Sequence, residues 1–265
     1  MRRRLAQAVC RLEELEQSDR RPTLLHRLDG RAKLLVTLLY TGLLLSVPLT
    51  HLSELLLFAL YPLVTARLAE IRYATLLRRS LIVLPFVGGI GLPNLFEAGE
   101  PLFRIGPLAV TAGLLTFVSL LLRGLLSLQA LLLLIGTTGY RRLCGTLRQL
   151  GLPEAFTTQL LLVHRYLCLL LQEGITLSMA RDARSFGRPG YPLRTWGPLV
   201  GQLLFRTFDR AGRIGQAMAA RGFTGQFPEP AGLRSRWSRL DSAYLLGWST
   251  LLVALRLFVS PERIF

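Results

Sequence analysis

The sequence is nearly devoid of lysine, because Lys33 is its only lysine among 32 basic residues. Only 16 acidic residues oppose them, so the formal net charge is +16. Such a charge can indicate a nucleic-acid-binding protein. The arginines, however, cluster at the edges of long apolar runs, which is the distribution that the positive-inside rule predicts for a membrane protein. We therefore expect the lipid bilayer, and no nucleic acid, as a partner.

Cysteine and histidine are also scarce. Cys10, Cys144 and Cys168 are far apart and show no CxxC spacing, so they predict neither a disulfide framework nor a zinc site. The three histidines are isolated from one another, and we predict no metal site and no cofactor. The N-terminus has no apolar core of a cleavable signal peptide. The chain also lacks a GxxxxGK[ST] phosphate-binding loop, which excludes an ATP-hydrolysing site of that type.

Apolar residues dominate the composition, and they fall into long runs that are almost free of charge. A bilayer of about 30 Å needs about 20 such residues in a helix. We therefore predict an all-α integral membrane protein with about five transmembrane helices. The predicted spans cover residues 34–47, 52–66, 81–95, 108–135 and 244–259.

The loops between the spans indicate the orientation. Residues 67–79 and 140–148 are rich in arginine and should be cytoplasmic, whereas residues 96–106 carry Glu97 and Glu100 and should face outward. The run 108–135 must then cross the membrane once, as a tilted helix. Arg123 interrupts it, either near the headgroups or facing a partner subunit. The N-terminus is predicted to be cytoplasmic, with residues 1–33 forming a cytoplasmic or interfacial segment.

The region 139–240 does not resemble a soluble domain, because no strands are predicted in it and its leucines recur at helical spacing with arginines on the other face. One helix is predicted to begin after Pro153 and to run from Glu154 to about Arg184. A second helix is predicted from Pro198 to Arg221, with Gly222 as its C-cap. It carries an apolar stripe along one face. The stripe comprises Val200, Leu204, Phe208, Ala211, Ile214 and Met218.

Both predicted helices end in an Ala-Arg-small tripeptide followed by phenylalanine. The first is Ala183-Arg184-Ser185, and the second is Ala220-Arg221-Gly222. A single arginine at a helix end can simply interact with the helix dipole, but two matching tripeptides favour a shared binding role. Arg206, Arg210 and Arg213 are interpreted instead as a solvated or headgroup-facing surface.

The stretch RTFDRAGRIGQAMAARGF, the SMARDARSFG end of the first helix and the lead-in LLHRLDGRAKLL resemble the T component of energy-coupling-factor (ECF) transporters. The similarity is greatest to the CbiQ-like T components of cobalt and nickel importers. Two departures are Gly30, where the family usually has proline after aspartate, and Ser185 in place of glycine.

The resemblance implies a non-enzymatic subunit of an importer in the prokaryotic inner membrane. Residues 183–185 and 220–222 would bind two ABC-type ATPase subunits, and a separate small membrane protein would capture the substrate. Residues 34–138 would then hold the first four spans, residues 139–240 the cytoplasmic coupling helices, and residues 241–265 the last span. Cobalt or nickel is the expected cargo, and a vitamin importer with a shared T component is the alternative.

Two other classes of function remain open on the sequence. A membrane enzyme would need intramembrane acids or a histidine–aspartate cluster, which the spans almost lack. A secondary transporter usually shows internal repeats and broken helices with polar residues at mid-membrane, and neither is visible here.

Overall fold

A computed structural model describes residues 24–48, 52–96, 101–105, 108–184, 193–223, 225 and 237–259. Most of residues 1–33, the loop carrying Glu97 and Glu100, and Ser185 lie outside these described residues. The helices and strands are the following. They are α1 (Leu24–Arg27), α2 (Gly30–Ser46), α3 (Leu52–Phe58), α4 (Leu60–Leu68), α5 (Tyr73–Ser80), a 3-10 turn (Leu81–Val83), α6 (Leu84–Phe96), β1 (Pro101–Ile105), β2 (Leu108–Thr111), α7 (Ala112–Thr138), α8 (Tyr140–Gln149), α9 (Glu154–Arg184), α10 (Leu193–Ala220) and α11 (Arg239–Val259).

These elements form two compact units. The bundle unit contains the described residues from 24 to 139 together with residues 237–259, and the long-helix unit contains residues 140–223 and 225. The bundle unit comprises α1 to α7 and α11. The long-helix unit comprises α8, α9 and α10.

The predominance of helix confirms the predicted fold class. Three helical stretches of the described chain are long and apolar enough to cross a bilayer, namely Tyr73–Asn94, Gly113–Thr138 and Glu154–Arg184. The second is a single helix, as predicted for the run around Arg123. The third is the helix that we predicted to be cytoplasmic, so length and composition alone would also allow it to span the membrane.

One predicted boundary is wrong. Residues 108–111 were assigned to the fourth span, but they form β2, which pairs antiparallel with β1. Val110, for example, lies opposite Phe103. Apolar residues that include β-branched ones suit a strand as well as a helix, so a short apolar run does not distinguish the two. The helix begins only at Ala112.

The break between α3 and α4 is stabilised by a tyrosine. Pro62 has no backbone N–H, so the carbonyl of Phe58 lacks its usual helical donor. The hydroxyl of Tyr40 in α2 donates to that carbonyl at 3.1 Å. The Tyr40 ring is fully buried and stacks on Tyr61 with ring centroids 4.4 Å apart. The core of the bundle unit is thus built around the irregular point of its second predicted span.

Two arginines bind the C-terminal end of α2, where the last carbonyls have no helical partner. Arg123 of α7 donates to the carbonyls of Leu45, at 3.4 Å, and Val47. Arg256 of α11 donates to the Ser46 carbonyl at 2.9 Å and to the buried carboxylate of Glu54 at 2.8 Å. Arg123 is therefore engaged inside the chain.

An apolar stripe on the outside of the bundle unit is left uncovered. Ile82, Phe86 and Ile90 recur every four residues and are 75%, 73% and 59% exposed. A stripe of this kind is typical of a helix that faces lipid or another membrane protein, because in water it would be costly.

Helices α6 and α7 approach closely through glycine. A Cβ added at Gly124 would lie 3.0 Å from Cγ2 of Val87, whereas a Cβ at Gly42 in α2 would meet nothing within 4 Å. Small residues commonly allow such close packing between membrane helices.

We expect Gly124→Leu to lower the stability of the bundle unit by about 1–3 kcal/mol, because overpacking forces helices apart. The control Gly42→Leu should change it by less than about 0.5 kcal/mol. Thermal unfolding in detergent, followed by size-exclusion chromatography, measures both. Equal melting temperatures for the two variants would contradict the close contact.

Candidate functional site

The second tripeptide closes α10 with a well-defined cap. Gly222 has a φ of +73°, a left-handed conformation that glycine adopts without a steric penalty. The N–H of Phe223 donates to the carbonyl of Met218 at 3.0 Å, and that of Gly222 to Ala219 at 3.0 Å. These two bonds are the Schellman motif. The predicted C-cap is confirmed, and Arg221 is held in the last helical turn with its side chain exposed.

The first tripeptide lies at the end of α9. The helix begins at Glu154 and ends at Arg184, as predicted, and both Ala183 and Arg184 are exposed. Ser185 lies outside the described residues. Each tripeptide therefore presents an arginine at the C-terminal end of a long helix, where a cation is also favoured by the helix dipole.

Helices α9 and α10 run antiparallel. Thr158, near the start of α9, donates to the carbonyl of Gly225 beyond the end of α10 at 3.5 Å. Further along α9, Glu173 accepts from Arg206 in the first half of α10, at 2.5 Å. At 1.5 Å of rise per residue, Arg184 and Arg221 lie roughly 39 Å apart along the pair. The two arginines consequently lie near opposite ends of the helix pair.

The face of α10 that is shielded from solvent is not the predicted stripe. Val200, Leu204, Phe208 and Ala211 are exposed, and only the stripe's last two members, Ile214 and Met218, are half-buried. The half-buried positions recur at steps of three and four residues along the helix. This series comprises Trp196, Leu199, Leu203, Thr207, Arg210, Ile214 and Met218, and Gly201 is half-buried as well. The prediction failed because apolar residues occupy more than one face of α10.

A cleft between α9 and α10 is lined by three arginines that the sequence led us to interpret as a solvated surface. Arg206, Arg210 and Arg213 surround a cavity of about 240 Å³ with the acidic residues Glu173 and Asp209. The Arg206–Glu173 ion pair joins the two helices, although the Arg206 side chain is 48% exposed. The cleft is therefore partly a helix–helix contact, and sequence reasoning missed the role of Glu173.

Helix α8 braces the beginning of α9. The Tyr140 ring stacks on His164 with centroids 4.5 Å apart, and its hydroxyl donates to the Leu160 carbonyl at 3.0 Å. At the other end, Arg148 pairs with Glu154. His164 thus has the structural role expected of it. The amphipathic pattern of residues 140–149 could have revealed α8, but we considered this segment only as an arginine-rich loop.

The buried thiol of Cys144 in α8 is unreactive. Burial raises the pKa of Cys144 above its ordinary value, so the thiol stays protonated at neutral pH. A protonated thiol is neither a nucleophile nor a metal ligand. Within the described ranges, no three His, Cys, Asp or Glu side chains are placed to hold a metal ion.

Comparison with known proteins identifies the family. Residues 22–230 match CbiQ, described as cobalt transport protein. The chain belongs to the CbiQ family. That match contains both arginine tripeptides and the lead-in before α2. This CbiQ-family chain is accordingly an all-α membrane protein and a membrane component of cobalt transport.

Two further proteins are similar to this chain. The chain is 27% identical over 222 residues to the uncharacterized protein MJ1571 of Methanocaldococcus jannaschii. The aligned region covers 80% of this chain and 75% of that protein. It is 30% identical over 101 residues to the nickel permease LarQ of Lactiplantibacillus plantarum, covering 38% of this chain and 37% of LarQ. The similarity to LarQ thus spans little more than a third of either protein.

We expect Gly222→Ala to loosen the last turn of α10 by about 1 kcal/mol, because a Cβ is disfavoured at a left-handed position. Gly215→Ala is the control: it lies in the same helix, with open space around the new methyl group. It should instead gain about 0.5–1 kcal/mol of helix stability. Amide hydrogen exchange around Arg221 measures both, and equal protection in the two variants would contradict the cap.

A second prediction concerns the ion pair between the long helices. Arg206→Glu should lower the melting temperature by placing two carboxylates together, with a loss of about 0.5 kcal/mol for this exposed pair. The swap Arg206→Glu with Glu173→Arg should recover most of that loss. Thermal unfolding of the four combinations tests the pair, and additive effects would show that the residues do not interact.

Proposed function

We propose that this chain is the transmembrane coupling subunit of an ATP-driven ECF importer for cobalt or nickel. Its role is to pass the motion of two ABC-type ATPase subunits to a separate small membrane protein that captures the metal. The observation that carries the proposal is the pair of exposed arginine tips, Arg184 and Arg221, at opposite ends of two antiparallel helices.

The chemistry of the tips suits a protein partner. A guanidinium presents five N–H donors in a planar fork that matches carboxylates and backbone carbonyls. Flanking residues Ala183 and Ala220 are small and exposed, so they leave room for a groove of the partner to close around each helix end. A separation of roughly 39 Å favours one ATPase subunit for each tip.

The energy has to come from another chain. The sequence contains no phosphate-binding loop, and its only lysine is Lys33, which no GxxxxGK[ST] pattern surrounds. Long helices transmit a rigid-body displacement better than loops, and α9 and α10 contain 31 and 28 residues. This division of labour makes the chain a non-catalytic subunit, with residues 183–185 and 220–222 as the proposed ATPase contacts.

In this proposal residues 139–240 lie on the cytoplasmic side, and the N-terminus is cytoplasmic too. Helix α9 is long enough to span a bilayer, but Arg165 and Glu173 occupy its middle, where charge would be costly in lipid. None of its most apolar stretch is buried within the chain. The exposed apolar residues Phe205 and Phe208 of α10 suit contact with the capture subunit or the membrane.

The family description and the printed name of LarQ favour cobalt or nickel as cargo. A coupling subunit shared among several vitamin-capture proteins is the alternative, because nothing in the coupling helices reads the substrate. A membrane enzyme is disfavoured by the family assignment.

We expect Arg184→Glu with Arg221→Glu to abolish co-purification of the ATPase subunits. The new carboxylates would repel the carboxylates and carbonyl oxygens that the arginines are proposed to bind. Each single variant should retain partial binding, because the two tips bind independently and together give avidity. The measurement is affinity purification of the tagged chain from native membranes, with quantification of ABC-type ATPases by mass spectrometry.

The matched control is Arg165→Glu with Arg213→Glu, which makes the same charge change at exposed positions of the same two helices. It should leave ATPase co-purification within about twofold of the wild type. Wild-type recovery of ATPases by the tip variant, or equal loss in both pairs, would contradict the proposed contacts.

A further inference from the structure

The lead-in before α2, LLHRLDGRAKLL, has a structural role that the arginine tips do not explain. Three of its residues and one from the end of the chain are ionisable and nearly inaccessible: His26, Asp29, Lys33 and Asp241 are 6%, 1%, 3% and 2% exposed. Ionisable residues are rarely buried without a reason, because removing charge from water is costly.

Asp29 is the N-cap of α2. Its carboxylate accepts from the N–H of Arg31 at 3.1 Å, and Gly30 occupies the first helical position. Proline is favoured at that position, since its missing N–H would be unpaired there anyway. Gly30 thus occupies a position that is compatible with proline.

Asp241 joins the start of α2 to the start of α11. One carboxylate oxygen accepts from the backbone N–H of Asp29 at 2.8 Å, and the other from that of Ser238 at 2.7 Å. The second contact is the N3-to-N-cap half of a capping box. A single carboxylate therefore fixes the beginnings of two helices, through a contact between residues that are 212 positions apart in the sequence.

Lys33 extends this cluster to a third helix. It lies one turn after Asp29, and its ammonium group donates to the carbonyl of Thr137 at 3.0 Å. Thr137 is in the last turn of α7, and Gly139, with a φ of +74°, terminates that helix immediately before Tyr140 begins α8. The only lysine of the chain thus holds the last turn through which the bundle unit continues into the long-helix unit.

We propose that Asp29, Lys33 and Asp241 form a positioning cluster for coupling. Asp29 and Asp241 fix the first turn of α2, and Lys33 on that turn holds the end of α7, so that displacement of the long helices reaches the bundle instead of fraying α7. This inference rests on the proposed function. It assigns Lys33 a positioning role in energy coupling, distinct from the ATPase contacts at Arg184 and Arg221.

The test uses the full chain expressed with its ATPase and capture subunits in cells that lack other cobalt and nickel importers. Lys33→Met removes the bond to Thr137 and keeps an apolar stem of similar length. We expect ATPase co-purification within twofold of the wild type and at least a tenfold loss of radioactive cobalt or nickel uptake per folded chain. Lys33→Arg, which keeps a donor, should recover part of the uptake.

The matched control is Glu54→Gln at the opposite end of α2, which perturbs an equally buried charged residue, 2% exposed and paired with Arg256. It should keep uptake per folded chain within about threefold. Equal losses of uptake in Lys33→Met and Glu54→Gln, or wild-type uptake in Lys33→Met, would overturn the positioning role. If Lys33→Met does not accumulate, Asp241→Asn, which keeps the side-chain volume, decides by the same criteria.

A partner-free measurement separates this inference from the proposed function. Amide hydrogen exchange of the purified chain should rise at least tenfold in the last turn of α7 in Lys33→Met and stay unchanged there in Glu54→Gln. If the wild-type chain binds no ATPase, the coupling function fails, while this exchange result still decides whether Lys33 holds the end of α7. Unchanged exchange in Lys33→Met would overturn the cluster in either case.

Discussion

The need to satisfy the backbone groups at the two ends of α2 organises the bundle unit. In apolar surroundings an unpaired N–H or carbonyl costs several kcal/mol, on the order of what a lost buried hydrogen bond costs. At its N-terminal end α2 is capped by Asp29, and at its C-terminal end its carbonyls bind Arg123 and Arg256. Both arginines come from other helices, so satisfying α2 also fixes α7 and α11.

The same principle operates where the helices are interrupted. Pro62 deprives the Phe58 carbonyl of its helical donor, and Tyr40 replaces it. The hydroxyl can do this because its ring is buried against Tyr61 in the core. A polar defect in one helix therefore selects the packing partner on another, which gives an otherwise leucine-rich bundle a defined arrangement.

The helices of the long-helix unit are stabilised in a different way. They are stabilised by contacts at their starts, such as Tyr140 on His164, and by well-formed ends, such as the Gly222 cap. Much of their apolar surface, including Phe205 and Phe208, stays exposed. Rigid helices with exposed tips and faces are suited to partners that bind at both. This contrast between a self-satisfied bundle and open long helices is what the proposed coupling role requires.

Local signals in the sequence were sufficient for part of this description. Pro153 and the glycine and proline residues at 187–190 predicted α9 from Glu154 to Arg184, and Gly222 was predicted as the C-cap of the next helix. Such signals suffice because helix starts and stops depend on nearby residues. The start of α10 was placed at Pro198, whereas the helix begins at Leu193 and contains that proline. Proline is favoured in the first turn of a helix but does not have to be its first residue, so a helix can begin a few residues before it.

Only the tertiary structure decided which distant residues contact each other. The sequence determined that the chain is helical and apolar and that Arg184 and Arg221 end two long helices. It did not determine that Glu173 meets Arg206, that Val200 and Leu204 stay exposed, or that Lys33 binds Thr137 104 residues away. Helical periodicity specifies which residues share a face, but which face meets which neighbour depends on the packing of the whole chain.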